Sequence, residues 1–388
     1  MAYRLPMHRR RPFPTLLFIL LALTALQHAQ DKPAQTQPAR TQAAKTSPAQ
    51  TPPSATLLVL SKSDRTLAIV DPNSRQVLVR IPVGNDPHEV IASTDGKTAY
   101  VSNYGFGAYN TLAVVDLVAR KALPSIDLGP LRGPHGLTFV GGKVWFTAET
   151  AKAVGSYDPA THTVDWILGT GQNRTHMIYV APDMQRIVTT NVSSGTVSII
   201  EKTGGEKTNG ANRASRPPPG MTKASGDQKG PPPPPSPDWN QTVVRVGTSS
   251  EGFDVSPDGK EIWVANSEAG TVSIVDVAHN WVTQTIDADA RGANRLKFTP
   301  DGKLVLMSTL GGPELVVINS ATHKTIRRVA VGTGAAGIIV DPYGSRAFVA
   351  CTPDDYIAVI DLRSLQVIGH IDAGSGPDGM AWATAPSK

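Results

Sequence analysis

One turn sequence constrains this chain more than any other feature. It reads SxDGK at 93–97, SPDGK at 256–260 and TPDGK at 299–303, with VGGK (140–143), APDMQ (181–185) and DPYGS (341–345) as variants. An apolar segment precedes each turn and another follows it: YVSN (100–103), WFTAE (145–149), VTTN (188–191), WVAN (263–266), LMST (306–309) and FVAC (348–351). A β-branched run comes next, mostly ending in an acid, as in LAVVD (112–116), VGSYD (154–158), TVSIIE (196–201), TVSIVD (271–276), ELVVIN (314–319) and YIAVID (356–361). A fourth segment, such as QTIDA (284–288) or RRVAVG (327–332), closes the unit. Short β-branched runs punctuated by Gly and Asp turns are strands, so the unit is a four-stranded sheet.

Val90, Leu137, Ile178, Phe253, Leu296, Ile338 and Met380 hold equivalent places in successive first strands, at steps of 47, 41, 75, 43, 42 and 42 residues. A period of about 40–45 residues with four strands is one blade of a β-propeller. The step of 75 contains a proline-rich insert, which accounts for the excess. At the start of the series, LLVLS (57–61), TLAIVD (66–71) and QVLVRIPVG (76–84) are second, third and fourth strands with no first strand before them. At its end, PDGMAWA (377–383) is a first strand with nothing after it. The two fragments complete one blade. The expected fold is therefore all-β, a seven-bladed propeller of four-stranded blades, its ring closed by N-terminal strands and a C-terminal strand in one shared blade. Closure removes exposed sheet edges.

The YVSN, VTTN and WVAN segments, with TVSIVD-type strands and PDGK turns, resemble the YVTN family of β-propeller repeat proteins across residues 56–388 apart from the insert. Repeats of that type occur in exported bacterial proteins, archaeal surface-layer proteins and several propeller enzymes, so the resemblance implies the fold more than an activity. The stretch GPHGLTFVGGKVWFTAETAKAVGSYDP (133–159) is also similar to blades of streptogramin B lyase and of sugar-lactonase-type propellers.

The charge is unevenly distributed. The chain carries a net +5, but residues 1–29 hold +4, residues 30–55 hold +2 and residues 202–240 hold +3, which leaves −4 on the remainder. That remainder has no phosphate-neutralising excess, so no nucleic-acid partner is expected. Arg9, Arg10 and Arg11 precede the apolar run 15–26, the pattern of a secretory signal peptide in residues 1–29. The run is shorter than the roughly 20 apolar residues of a membrane span, and no transmembrane segment is expected once the signal is removed. Residues 30–55 hold no apolar side chain larger than alanine and read as a disordered tether. The insert at about 203–238, with Pro217–Pro219 and Pro231–Pro235, reads as a disordered excursion from the third strand of its blade. The single cysteine, Cys351, excludes an intramolecular disulfide and a cysteine metal cluster. A periplasmic or secreted protein is expected, stabilised by its core.

Repeat register also locates candidate site residues. The entry position of the seven first strands is held by His88, His135, His176, Glu251, Asn294, Ala336 and Asp378, and the exit of the second strands by Ser61, Asn103, Glu149, Asn191, Asn266, Thr309 and Cys351. Both sets belong on one rim of the channel. Arg132, Arg174, Arg291 and Arg295 sit in or beside the entry loops and could recognise a carboxylate or phosphate. Neutral imidazoles with a carboxylate suit Zn, Cu or Ni, or carry protons, which makes His88, His135, His176 and Glu149 candidate ligands of a divalent metal and His135, His176 and Glu149 candidate catalytic groups. The competing expectation is that His in PHE, PHG and THM is a repeat residue bonding its own loop, with blade walls too far apart to share a ligand. The recurring Asn has the character of a turn residue, and Glu149 stands where that pattern breaks. His162, His279 and His323 align in the turns of the opposite face. The leading functional expectation is a binding or scaffold protein that engages a protein or small ligand on the histidine-bearing face. The alternative is a propeller enzyme of the lyase or lactonase type with a metal or His/Glu acid–base site.

Overall fold

The computed structural model describes residues 55–203 and 239–384. The expected export signal, the expected tether up to residue 54 and nearly all of the proline-rich insert lie outside the described residues. Seven four-stranded antiparallel sheets form the ring. Blade 1 begins with Pro87–Ala92, blade 2 with Pro134–Val140, blade 3 with Thr175–Val180, blade 4 with Ser250–Val255, blade 5 with Ala293–Phe298 and blade 6 with Ala335–Val340. Blade 7 is the composite: Pro377–Thr384 pairs with Ala55–Ser61, and Thr66–Asp71 and Gln76–Pro82 follow outward. The shared blade is therefore as expected. Innermost strands touch their neighbours all the way round, the composite blade touching blades 1 and 6.

The burial pattern explains the composition of each strand. Third strands such as TVSIVD (Thr271–Asp276) are buried through all four central residues, because both sheet faces are covered by adjacent blades. Such strands need continuous apolar runs rather than alternation. Outer strands such as TVDWILG (Thr163–Gly169) alternate exposed and partly buried positions, since one face meets solvent. The core is accordingly divided into seven apolar clusters, one between each pair of neighbouring blades.

The repeated turn has a local reason as well. In blade 1 the Asp95 carboxylate accepts from Ser93 Oγ (2.6 Å) and from the Lys97 amide (3.1 Å), while Gly96 takes φ 67°. Asp258 and Asp301 make the same bonds beside Gly259 and Gly302. These donors hold the aspartates below their ordinary pKa, Asp258 at about 2. The acid ending most third strands does similar work at the next turn, as Asp116 shows by accepting from the amides of Val118 and Ala119. His162 and His323 occupy the left-handed position of that turn, but in blade 4 this place belongs to Asn280. His279 lies one residue earlier and bonds Asp276, which corrects the expected alignment.

Candidate functional site: a histidine cluster in the channel mouth

Each first strand breaks register with the second near its beginning: between Pro87 and Val90 in blade 1, Pro134 and Leu137 in blade 2, and Thr175 and Ile178 in blade 3. Blades 4, 5 and 6 repeat the shift. A bulge of this kind re-aims the side chains it carries. All seven entry residues, His88, His135, His176, Glu251, Asn294, Ala336 and Asp378, accordingly line one cavity of about 670 Å³ at the channel mouth.

The serine or threonine inside YVSN and its relatives ties the bulges together. Thr147 Oγ1 accepts from the Gly136 amide (2.9 Å) and donates to the carbonyl of His176 in the next blade (2.6 Å). Ser102 likewise donates to the His135 carbonyl (2.9 Å), Thr190 to that of Glu251 (2.6 Å) and Ser308 to that of Ala336 (2.8 Å). Gly136 lets blades 2 and 3 close up, since a Cβ there would stand 2.6 Å from the His176 carbonyl oxygen. As a result the imidazole of His135 lies 3.8 Å from that of His176 and 4.3 Å from that of His88, measured between ring centroids. The blade walls are close enough to share a ligand, contrary to the competing expectation.

The three imidazoles sit in different electrostatic surroundings. His176 is buried with Nδ1 against Glu149 Oε1 and Nε2 3.0 Å from Glu251 Oε2. Burial works against its charge, but the two carboxylates outweigh it and raise its pKa. Glu251 is held at about 2 and Glu149 below its ordinary value, burial being overcome in both by the bond to His176. Tyr104 donates to Glu149 Oε2 (2.5 Å), and Arg174 reaches Glu149 (3.5 Å) and Glu251 (3.9 Å). His88 accepts from Lys62 Nζ (2.6 Å); burial, with the Lys62 charge beside it, drives its pKa to about 3. His135 is 1% exposed, and neither ring nitrogen has a hydrogen-bond partner. Burial, with His176 and His88 alongside, keeps it neutral. Burial raises the pKa of Asp378, which lies 3.4 Å from Lys62 and 3.5 Å from His88.

Below the histidines, Arg295 Nη2 donates to Glu89 Oε1 (2.7 Å) across the channel and Nη1 lies 3.5 Å from His176 Nε2. This pair is the cavity's floor. A second space of about 380 Å³, lined by Glu89, Ile178, Phe253, Arg295 and Trp382 among others, lies beyond it. Both residues occupy the place after the entry residue, where blades 2, 4, 6 and 7 carry Gly136, Gly252, Gly337 and Gly379. Two of the candidate arginines stand outside the cavity lining: the Arg132 guanidinium donates to the carbonyl of Ala108 (3.3 Å) on the exposed surface, and Arg291 is exposed as well. Register reasoning missed Lys62, Glu89, Tyr104 and Phe106. The signal available was that Glu89 directly follows His88 and Tyr104 directly follows the YVSN segment.

His135, Glu149 and His176 can each present a ligand atom, all within 4.8 Å of one another. An octahedral or tetrahedral dication with bonds of about 2.0–2.2 Å spaces its donors about 3–3.5 Å apart, so side chains standing at the 4.8 Å limit would draw in by about 1–2 Å to close on an ion. Charge points the same way. The network joins five carboxylates (Asp86, Glu89, Glu149, Glu251, Asp378) to Lys62, Arg174 and Arg295. Protonation of His176 removes half of that negative excess; a dication removes all of it. The donor set of two imidazoles and a carboxylate is one that borderline divalent metals accept. Glu251 on His176 and Tyr104 on Glu149 would serve as the outer partners that fix ligand orientation.

No protein-family profile matches the chain, and no curated protein matches it in sequence. Solved structures do match in fold. A protein of unknown function from Desulfotomaculum acetoxidans is similar at TM-score 0.65 and 14% identity, covering 83% of this chain and 98% of its own. A Bacteroides fragilis protein provisionally assigned as a 6-phosphogluconolactonase is similar at TM-score 0.65 and 16% identity, over 87% of this chain and 99% of its own. Dihydro-heme d1 dehydrogenase NirN is similar at TM-score 0.56 and 14% identity, over 84% of this chain and 74% of its own. At these identities the likeness concerns the propeller fold alone.

Proposed function

We propose that this protein is an exported propeller enzyme acting on a small molecule, with a divalent cation held by His135, His176 and Glu149 at the base of the channel mouth and His88 beside them. The observation carrying this reading is His135, a buried neutral imidazole with both nitrogens unpaired. Leaving such a group without a partner costs about 1–3 kcal/mol, which a ligand bond would offset. A bound cation would supply Lewis acidity toward a substrate oxygen. The chain's own groups do the rest: Lys62 and Arg174 present positive charge to an anionic oxygen, and Asp378, whose pKa burial raises, is placed to carry a proton beside His88.

The convergence of titratable groups inside a cavity favours an enzyme of the lyase or lactonase kind over a protein scaffold, which needs only anchors on a broad face. His135, His176 and Glu149 are all buried, beyond the reach of a flat partner surface. The basic-then-apolar N-terminal sequence and the YVTN-like repeats support a periplasmic or secreted setting. Metal analysis of the purified mature chain, then EDTA dialysis and reloading with cobalt(II), tests the reading. One equivalent of metal with tetrahedral or five-coordinate cobalt absorption is expected; no metal as purified and no cobalt uptake contradicts it.

A further inference from the structure

The cavity rim breaks the repeat at one point. Six blades join their second and third strands through four residues, as at 149–152 or 310–313, whereas blade 1 uses seven, 104–110. The extra residues carry Phe106, which is 92% exposed and lines the cavity mouth. Its backbone takes φ 51°, a left-handed conformation that costs a bulky residue energy and persists only when its surroundings impose it. They do so here. The Gly105 amide donates to Asp86 Oδ2 (2.8 Å), Thr150 Oγ1 from blade 2 donates to the Gly107 carbonyl (2.8 Å), and Tyr104 is tied to Glu149. A strained loop thus holds an apolar ring in water, and no feature of the core requires it.

Across the ring, blades 5 and 6 give the rim Leu310 (51% exposed), Ala336 and Pro353, while the imidazoles and every charged lining group except Arg295 on the floor come from blades 7 and 1 to 4. Polar on one flank and apolar on the other, with Phe106 overhanging, the cavity has two kinds of wall. The geometry points to an amphipathic small-molecule ligand: an oxygen-donor head that reaches the histidine cluster, and an aromatic body that lies between Phe106 and the Leu310–Pro353 wall. A flat ring gains both apolar burial and offset or edge contact with Phe106. This inference rests on the metal-centre reading for its head group and on the rim residues for its body.

Acetohydroxamate and benzohydroxamate separate the two parts, since they share a chelating head and differ by methyl against phenyl. Each is titrated calorimetrically into zinc-loaded and EDTA-treated full-length protein, as wild type and as Phe106→Ala. Benzohydroxamate is expected to bind zinc-loaded wild type about tenfold tighter than acetohydroxamate, as burial of a phenyl ring implies. Phe106→Ala is expected to shrink that gap severalfold while leaving zinc stoichiometry and acetohydroxamate affinity unchanged. Equal affinities in wild type, or a gap untouched by Phe106→Ala, overturns the aromatic-body inference and leaves the metal centre standing. A phenyl preference lost in Phe106→Ala but identical with and without zinc supports the apolar wall and overturns the metal-bound head. Binding of neither compound to either form overturns both.

Discussion

Gly136 and the carbonyl of His176 approach so closely that a single methyl group would not fit: a Cβ on the glycine would lie 2.6 Å from that oxygen. This contact between blades 2 and 3 brings His135 and His176 together, because the two rings project from bulges on either side of it. Gly136→Ala should force the blades apart and cost about 1–3 kcal/mol, the usual range for overpacking. It should also weaken metal uptake more than its stability loss alone explains. Thermal unfolding and zinc titration on the same sample check both.

Thr147 is the other half of the same junction. It is fully buried and bridges the Gly136 amide and the His176 carbonyl. Thr147→Val keeps the shape and strands both groups, so a loss of about 1–3 kcal/mol is expected. Denaturant unfolding gives the figure; a neutral result would show that the hydroxyl is not what joins the blades.

The metal-free protein should be most stable near the ordinary imidazole pKa of about 6.5. His88 and His135 have depressed values in the fold, so the stability they contribute is present above that pH and lost as pH falls, through about 3 for His88. His176 has a raised value, so its contribution is complete below that pH and lost as pH rises through the folded value. Melting temperature against pH in EDTA measures the two limbs. His176→Gln should flatten the alkaline limb and leave the descent below pH 6 in place.

Ring closure makes a separate demand. Pro377–Thr384 pairs with Ala55–Ser61 along its length, from Thr384 opposite Ala55 to Pro377 opposite Ser61. Deleting residues 377–388 should expose the edge of Ala55–Ser61, lower the melting temperature sharply and open the fold to protease. A truncated chain as stable as the full one would contradict the closed ring.

The fold was legible because repeat residues do the same job in every blade. Asp95, Asp258 and Asp301 close identical turns, and Asn103, Asn191 and Asn266 bond neighbouring loop and strand groups, as a turn residue should. Register also placed the seven entry residues on one rim, since equivalent positions around a ring face one axis. It could not give distances across that axis. The meeting of Arg295 with Glu89, 206 positions away in sequence, depends on two long side chains standing where other blades carry mostly glycine. The close pairing of His135 and His176 depends on a bulge and a glycine contact that no pattern of types reveals. Arg132 and His279 mark the opposite limit, for one residue of offset in a turn is enough to point a side chain elsewhere.

The central claim is that the unpaired nitrogens of His135 are metal ligands, and His135→Phe tests it most directly, because it keeps a buried ring of similar size and removes both nitrogens. Zinc is titrated calorimetrically into EDTA-treated wild type and variant, and the metal-free melting temperature of each is recorded. The account predicts one zinc equivalent for wild type, its loss in the variant, and a metal-free variant at least as stable as wild type, since an unsatisfied buried polar group has been removed. Undiminished zinc binding by His135→Phe, or a wild type that takes up no zinc, would contradict it.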